Sequence, residues 1–212
     1  MTRPNLQIAL DQDSLEDALG IVKQAGPEVD VVEAGTILQL QEGVKAVSCL
    51  RHMFPDKIVV SDTKCADAGG TVAKHSKDAG ADWMTMICCA TIPTMQAAKK
   101  ELNDLQVELY GDWTWDQAKK WREIGIDQAV YHQSRDALLA GEVWGEKDLS
   151  VVKKLIDMGF KVSVTGGLTV DTLKLFKGVP VFTFIAGRAI TGQDDPHAAA
   201  KALRDEITKY WG

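Results

Sequence analysis

A single (β/α)8 barrel over residues 1–212 is the fold this sequence predicts, and three observations predict it. Strand-like and helix-like runs alternate from end to end, glycine or proline marks the helix-to-strand returns, and no glycine-rich loop follows the first strand. Such alternation builds a parallel sheet with crossover helices, either closed as a barrel or open and doubly wound. The open form usually announces a Gly-x-Gly-x-x-Gly turn after its first strand. Here that strand runs into Ala9-Leu10-Asp11-Gln12-Asp13, so closure is favoured.

Taken in order, the first strand is the apolar run 6–10, and the helix 14–24 opens with Ser14 and Asp17 at capping-box spacing. Gly26-Pro27 ends that helix before a strand at 29–33. A helix at 44–53 stops at Pro55-Asp56, and the β-branched run 57–61 follows. The helix 68–79 ends at Gly80 before strand 82–87, and helix 94–102 leads to strand 105–109. Thr114 with Gln117 predicts a second capping box on helix 114–124, closed by Gly125 before strand 128–132. Helix 146–158, Gly159 and strand 161–165 repeat the pattern. Helix 170–176, the turn Gly178-Val179-Pro180, strand 181–186 and helix 196–211 complete eight units with no linker or low-complexity segment between them.

A formal net charge of −6 argues against nucleic acid or an anionic membrane surface as the main partner, which leaves a small molecule as the expected ligand. The four cysteines, Cys49, Cys65, Cys88 and Cys89, show no Cys-x-x-Cys pair and no zinc-type spacing with the histidines, as in a reduced protein without structural metal. No apolar stretch approaches a signal peptide or a membrane span, so the expected location is cytoplasmic.

The segment Asp62-Thr63-Lys64-Cys65-Ala66-Asp67 sets a lysine between carboxylates just after Ile58-Val59-Val60. A surface ion-pair cluster capping the next helix would be the plain explanation. In a closed barrel, however, all strand ends share one mouth. Those ends supply Asp11, Glu33, Asp62 with Lys64, Cys88, Glu108, His132, Thr165 and Gly187-Arg188. Glu33 and Asp62, on neighbouring strands, form a hard-oxygen pair suited to Mg2+. Flanking carboxylates favour a charged Lys64, which makes it a fixed ammonium for a developing oxyanion and not an amine nucleophile. His132 and Arg135 can together move a proton and bind an anion. Glu108 can orient the histidine, hold a substrate hydroxyl or relay a proton, and the residues alone do not choose. Thr165-Gly166-Gly167 and Ala186-Gly187-Arg188 follow the seventh and eighth strands, the usual phosphate position of a barrel. The tryptophans Trp113, Trp115, Trp121, Trp144 and Trp211 read as packing residues.

On Leu10-Asp11, Val32-Glu33-Ala34-Gly35-Thr36, the Asp-x-Lys-x-x-Asp run 62–67, Trp113-Thr114-Trp115, Tyr131 to Asp136, Thr165 to Leu168 and Ile185 to Arg188, the chain resembles the 3-keto-L-gulonate-6-phosphate decarboxylases of the orotidine 5′-monophosphate decarboxylase suprafamily. The resemblance covers essentially the whole length, and the aromatic and histidine segments narrow it beyond the suprafamily. It implies a homodimeric barrel with magnesium on Glu33 and Asp62, and with Asp11, Lys64, Glu108, His132, Arg135 and Thr165 in the substrate site. It also implies phosphate held by Gly166, Gly167, Gly187 and Arg188, and Asp67 reaching the partner subunit's site. The implied substrate is a phosphorylated keto-sugar acid of L-ascorbate-type catabolism, decarboxylated to L-xylulose 5-phosphate through a magnesium-stabilised enediolate. Departures from the family pattern are Cys65, Ala34, Gln133 and the segment Tyr110-Gly111-Asp112; Gln133 and Asp112 bear on sugar preference. Two alternatives stand beside this reading. One is a D-arabino-hex-3-ulose-6-phosphate synthase, which would join the same enediolate to formaldehyde; the other is a barrel that binds sugar phosphates without turnover.

Overall fold

Short apolar strands need hydrogen-bonded neighbours on both edges, and here they find them by closing on themselves. In the computed structural model, which describes residues 2–212, eight parallel strands pair in sequence order and β8 returns to β1. The strands are β1 (Asn5–Leu10), β2 (Val31–Ala34), β3 (Ile58–Cys65), β4 (Trp83–Ile87), β5 (Asp104–Leu109), β6 (Gln128–His132), β7 (Lys161–Thr165) and β8 (Thr183–Ala186). Around them run α1 (Leu15–Ala25), α2 (Thr36–Glu42), α3 (Lys45–Met53), α4 (Gly69–Asp78), α5 (Ile92–Glu101), α6 (Trp115–Glu123), α7 (Arg135–Leu139), α8 (Glu146–Asp157), α9 (Val170–Leu175), α10 (Arg188–Thr191) and α11 (Pro196–Trp211). Among the described residues no helix is long and apolar enough to cross a membrane.

Three short helices were not legible as periodic runs. α2, α7 and α10 each start within a few residues of a strand end, at the mouth that carries the candidate residues. β2 begins at Val31 instead of residue 29, because Gly26–Glu28 forms a 3-10 turn. Both predicted caps are present, but they differ. Thr114 and Gln117 make the reciprocal box, whereas Ser14 accepts from the Asp17 backbone and donates its hydroxyl to the Asp17 carboxylate at 2.7 Å.

The two faces of the barrel wall pack differently, as period-two side-chain alternation requires. Leu6, Ile8 and Leu10 of β1, and their counterparts on the other strands, face the helices and join one continuous outer core. Inward residues form two small clusters, Val31-Val60-Trp83 toward the floor and Ala9-Val130-Ile185 below the mouth. Buried polar groups fill the space between, with Gln106 donating to Gln128 at 2.9 Å and Gln7 donating to Glu33. Buried polar groups thus share the barrel interior with an apolar cluster at either end.

A file of aromatic rings ties the last third of the chain to the barrel: Trp144 meets Phe176 at 5.3 Å, Phe176 meets Phe184 at 5.7 Å and Phe184 meets Trp211 at 5.3 Å. Phe184 is fully buried at the centre of this file. Phe184→Ala is expected to cost about 3–5 kcal/mol, read as a lower urea midpoint with an unchanged slope.

Candidate active site

The charged segment after Ile58-Val59-Val60 is not a loop: Asp62 to Cys65 continue β3, and the pairing with β4 shifts register between Ser61 and Cys65. Lys64 absorbs the irregularity with a left-handed backbone, φ 43°, a conformation that costs a non-glycine residue energy and concentrates at functional positions. Thr85 on β4 clamps the stretch. Its carbonyl accepts from the Thr63 hydroxyl at 2.9 Å, and its own hydroxyl accepts from Lys64 N at 2.9 Å and donates to Asp62 Oδ1 at 2.7 Å.

Held in this way, Lys64 Nζ donates to Asp62 Oδ2 at 2.6 Å and to Thr36 Oγ1 at 2.8 Å. It also stands 3.2 Å from Glu108 Oε2, close enough for ionic attraction but without hydrogen-bond geometry. Thr36 completes the clamp on Asp62 Oδ2 with its backbone N–H at 3.2 Å and its hydroxyl at 2.7 Å. Burial opposes the Lys64 charge, yet Asp62 and Glu108 outweigh it and raise the ammonium above its ordinary range. Burial likewise opposes the Asp62 charge, and Lys64 together with the Thr85 and Thr36 hydroxyls holds that carboxyl below its ordinary range. Lys64 is therefore a permanent cation, as its neighbours in the sequence suggested.

Glu33 has the opposite fate. Burial first, then the adjacent Asp62 charge, pushes its carboxyl well above the usual carboxylate range. With Glu33, Asp62 and Glu108 only 6%, 5% and 3% exposed, one ammonium faces three carboxyl groups that water scarcely screens. That imbalance, with hard oxygen donors on adjacent strands, fits a divalent cation such as Mg2+ held by Glu33 and Asp62. Among the described residues no three His, Cys, Asp or Glu side chains gather around one point, so the other ligands of such an ion would be water and substrate oxygens.

Across the mouth, Glu108 Oε1 lies 2.6 Å from His132 Nδ1, and the Tyr110 hydroxyl lies 2.7 Å from the same nitrogen. Arg135, in the first turn of α7, reaches to 3.8 Å from Asp11 Oδ2, while Asp11 Oδ1 accepts from Ile37 N at 3.2 Å. The Thr165 hydroxyl donates to the Ile185 carbonyl at 3.1 Å and so ties the end of β7 to β8. Gly166 has φ 102°, and a Cβ there would sit 2.0 Å from the Gln133 carbonyl oxygen, so only glycine fits. The Trp144 indole N–H fixes this turn by donating to the Gly166 carbonyl at 2.6 Å.

Asp11, Glu33, Asp62, Lys64, Glu108, His132, Arg135, Thr165, Gly166, Gly167, Gly187 and Arg188 all line one cavity of about 730 Å³. Asp67 does not line it; this residue is exposed past the end of β3, its carbonyl accepting from the Cys65 thiol at 3.0 Å. All four cysteines are free; Cys65 and Cys88 are buried and pack, whereas Cys89 is exposed and does not. Sequence reasoning passed over Thr85, quoted Thr36 only within the family motif, read Trp144 as a packing residue, and noted Tyr110 and Gln133 chiefly as departures. Threonine beside a strand end is too common to read as a carboxylate clamp. Trp144 gave an indole but no hint of which carbonyl it meets.

The closed barrel, the strained lysine and the ionisable groups gathered at the C-terminal mouth define the class: a (β/α)8-barrel enzyme. Sequence relationships narrow it. The chain belongs to the orotidine 5′-phosphate decarboxylase / HUMPS family, whose model matches residues 4–203. It is 50% identical to the 3-keto-L-gulonate-6-phosphate decarboxylase UlaD of Escherichia coli, with all of both chains covered. Among solved structures it superposes on a ligand complex of KGPDC from Streptococcus mutans with a TM-score of 0.98 and 63% identity over all of both chains. The 3-hexulose-6-phosphate synthase of Salmonella typhimurium superposes with a TM-score of 0.91 at 26% identity, covering 97% of this chain and 99% of that one.

Because the Asp62 carboxyl is depressed in the folded protein, it contributes stability above the unfolded aspartate value of about 3.9 and loses that contribution as pH falls through the folded value. Thermal midpoints measured below about pH 4 should therefore fall less steeply in Lys64→Met than in the parent chain. Gly166→Ala should lose affinity for phosphorylated ligands and lower the thermal midpoint, because the added methyl forces the turn away from the Gln133 carbonyl. Isothermal titration alongside a melting curve checks both effects.

Proposed function

We propose that this chain is a carboxy-lyase that converts 3-keto-L-gulonate 6-phosphate to L-xylulose 5-phosphate and CO2. The observation that carries the reading is the Lys64 ammonium, held between Asp62 and Glu108 in the cavity that also contains Glu33 and the Glu108-paired His132. Loss of CO2 from a β-keto acid leaves an electron pair at C2 that the C3 carbonyl accepts as an enediolate. The chemistry therefore needs a fixed positive charge beside an oxygen, in a place where water does not screen it. Lys64 supplies that charge and cannot drift, because it is hydrogen-bonded to both Thr36 and Asp62. A magnesium ion on Glu33 and Asp62 would add Lewis-acid charge beside the same oxygens.

Protonation at C2 then falls to the far side of the mouth. Glu108 accepts from His132 Nδ1–H and so turns Nε2 to the substrate, where it takes up a proton from solvent water and passes it to C2, returning to the Nδ1–H form, while Arg135 with Asp11 orients the sugar hydroxyls and any bridging water. Thr165, Gly166, Gly167 and Gly187 bring backbone groups to the phosphate, and Arg188 supplies its counter-charge. The reading extends to a cytoplasmic homodimer in which the exposed Asp67 completes the partner's site, and to a role in L-ascorbate-type catabolism. The synthase alternative shares the fold but only 26% identity with its representative, against 63% for the decarboxylase structure.

Purified protein with magnesium should release CO2 from 3-keto-L-gulonate 6-phosphate. Faster consumption of formaldehyde with ribulose 5-phosphate, or binding without turnover, would overturn the assignment. Lys64→Ala should lower kcat at least about a hundredfold, roughly 3 kcal/mol of barrier, while its circular dichroism stays that of a folded barrel. Activity that persists in excess EDTA would remove Glu33 and Asp62 from a metal-binding role.

A further inference from the structure

Tyr110 lies outside every role given above, yet its hydroxyl is among the closest polar groups to the imidazole that handles the proton. It stands 2.7 Å from His132 Nδ1 and 3.3 Å from Nε2. The two rings are 4.7 Å apart and tilted by 39°, so the phenol packs against the imidazole. Burial, reinforced by the Glu108 charge, pushes the phenol above its ordinary range and keeps it a neutral donor. Its backbone is anchored too: the Tyr110 carbonyl accepts from the Cys88 thiol at 3.3 Å. Two residues earlier in the chain, Glu108 offers Oε1 to the same His132 nitrogen.

We propose that Tyr110 is a positioning residue that locks His132 in one orientation and one tautomer, with Nδ1–H directed at Glu108 and Nε2 turned to the substrate. An imidazole held by a carboxylate alone can still pivot about its side-chain bonds, and each ring flip would put a ring carbon where a nitrogen had faced the cavity. The phenol holds the imidazole against that motion with its hydroxyl. Nδ1–H is directed at Glu108, and the phenol, a neutral donor, directs its own proton at the same carboxylate, so that its oxygen closes against the imidazole. The inference rests on the decarboxylase reading only for the consequence to turnover; the locked imidazole is a property of the protein without substrate.

The test compares the parent chain with Tyr110→Phe and Tyr110→Leu, using 15N-histidine NMR of the ligand-free protein and steady-state kinetics. In the parent, His132 should show the single Nδ1–H tautomer. In Tyr110→Phe it should become a mixture, and kcat should fall about tenfold at unchanged KM, one decade per about 1.4 kcal/mol. Tyr110→Leu should do no worse than Tyr110→Phe if the hydroxyl is what matters. An unaltered His132 spectrum in Tyr110→Phe, or full rescue of the leucine variant's loss by phenylalanine, would overturn the proposal and leave ring packing as the residue's role. A parent chain with no decarboxylase activity but a locked His132 would overturn the function and leave this inference standing.

Discussion

The Lys64 ammonium sits between two carboxylates that water barely reaches, and much of the mouth is arranged so that this charge cannot leave. Asp62 comes from the same strand, Glu108 from β5, and the hydroxyls that finish the cluster come from Thr36 and Thr85 on either side of β3. Burying ions costs several kcal/mol each unless partners are close and correctly angled. The arrangement offsets that cost at Asp62 and Lys64 but not at Glu33, whose carboxyl is pushed toward its neutral form. A left-handed φ at Lys64 adds strain on top. Cores optimised for stability do not look like this, and such strain is characteristic of sites where preorganised charge does chemistry.

Two kinds of recognition divide the cavity. On the side of β2, β3 and β5 it is built from ionisable side chains, with Asp62 and Lys64 clamped by hydroxyls. On the side of β7 and β8 it is built from backbone, with Gly166 where a Cβ would strike the Gln133 carbonyl and with Trp144 holding the turn from behind. The division suits a substrate whose reacting end gains charge and whose far end carries it from the start. An oxyanion that forms only in the transition state needs fixed dipoles and ions, whereas a phosphate binds well to any array of N–H donors with one cation nearby.

Below the mouth the barrel is less apolar than its wall. Gln7, Gln106, Gln128 and Ser163 are buried inside, and the oxygens Gln7 Oε1, Gln106 Oε1 and Ser163 Oγ have no protein partner. Gln7 nevertheless directs its amide at Glu33 and so fixes one carboxyl of the site from beneath. The polar layer carries the orientation of the site one step down into the scaffold, while stability rests on the outer core and the aromatic file from Trp144 to Trp211.

By itself the sequence determined the eight alternating units, and with them the expectation that Asp11, Glu33, Asp62, Lys64, Glu108, His132, Thr165 and Arg188 would share one mouth, because a closed parallel barrel has only one C-terminal end. The flanking carboxylates also suggested the sign of the Lys64 shift, although in the folded protein burial opposes that charge and Glu108 on β5 acts with Asp62 to outweigh it. Tertiary structure decided what depends on contacts distant in sequence. That β3 runs on through a register shift to Cys65, that Thr85 and Thr36 clamp Asp62, that Tyr110 caps His132 and that Trp144 pins Gly166 all rest on partners some 20 residues or more apart. Period and propensity report only on neighbours along the chain, so the choice of a hydroxyl or an indole at these positions acquires meaning only once the barrel has closed.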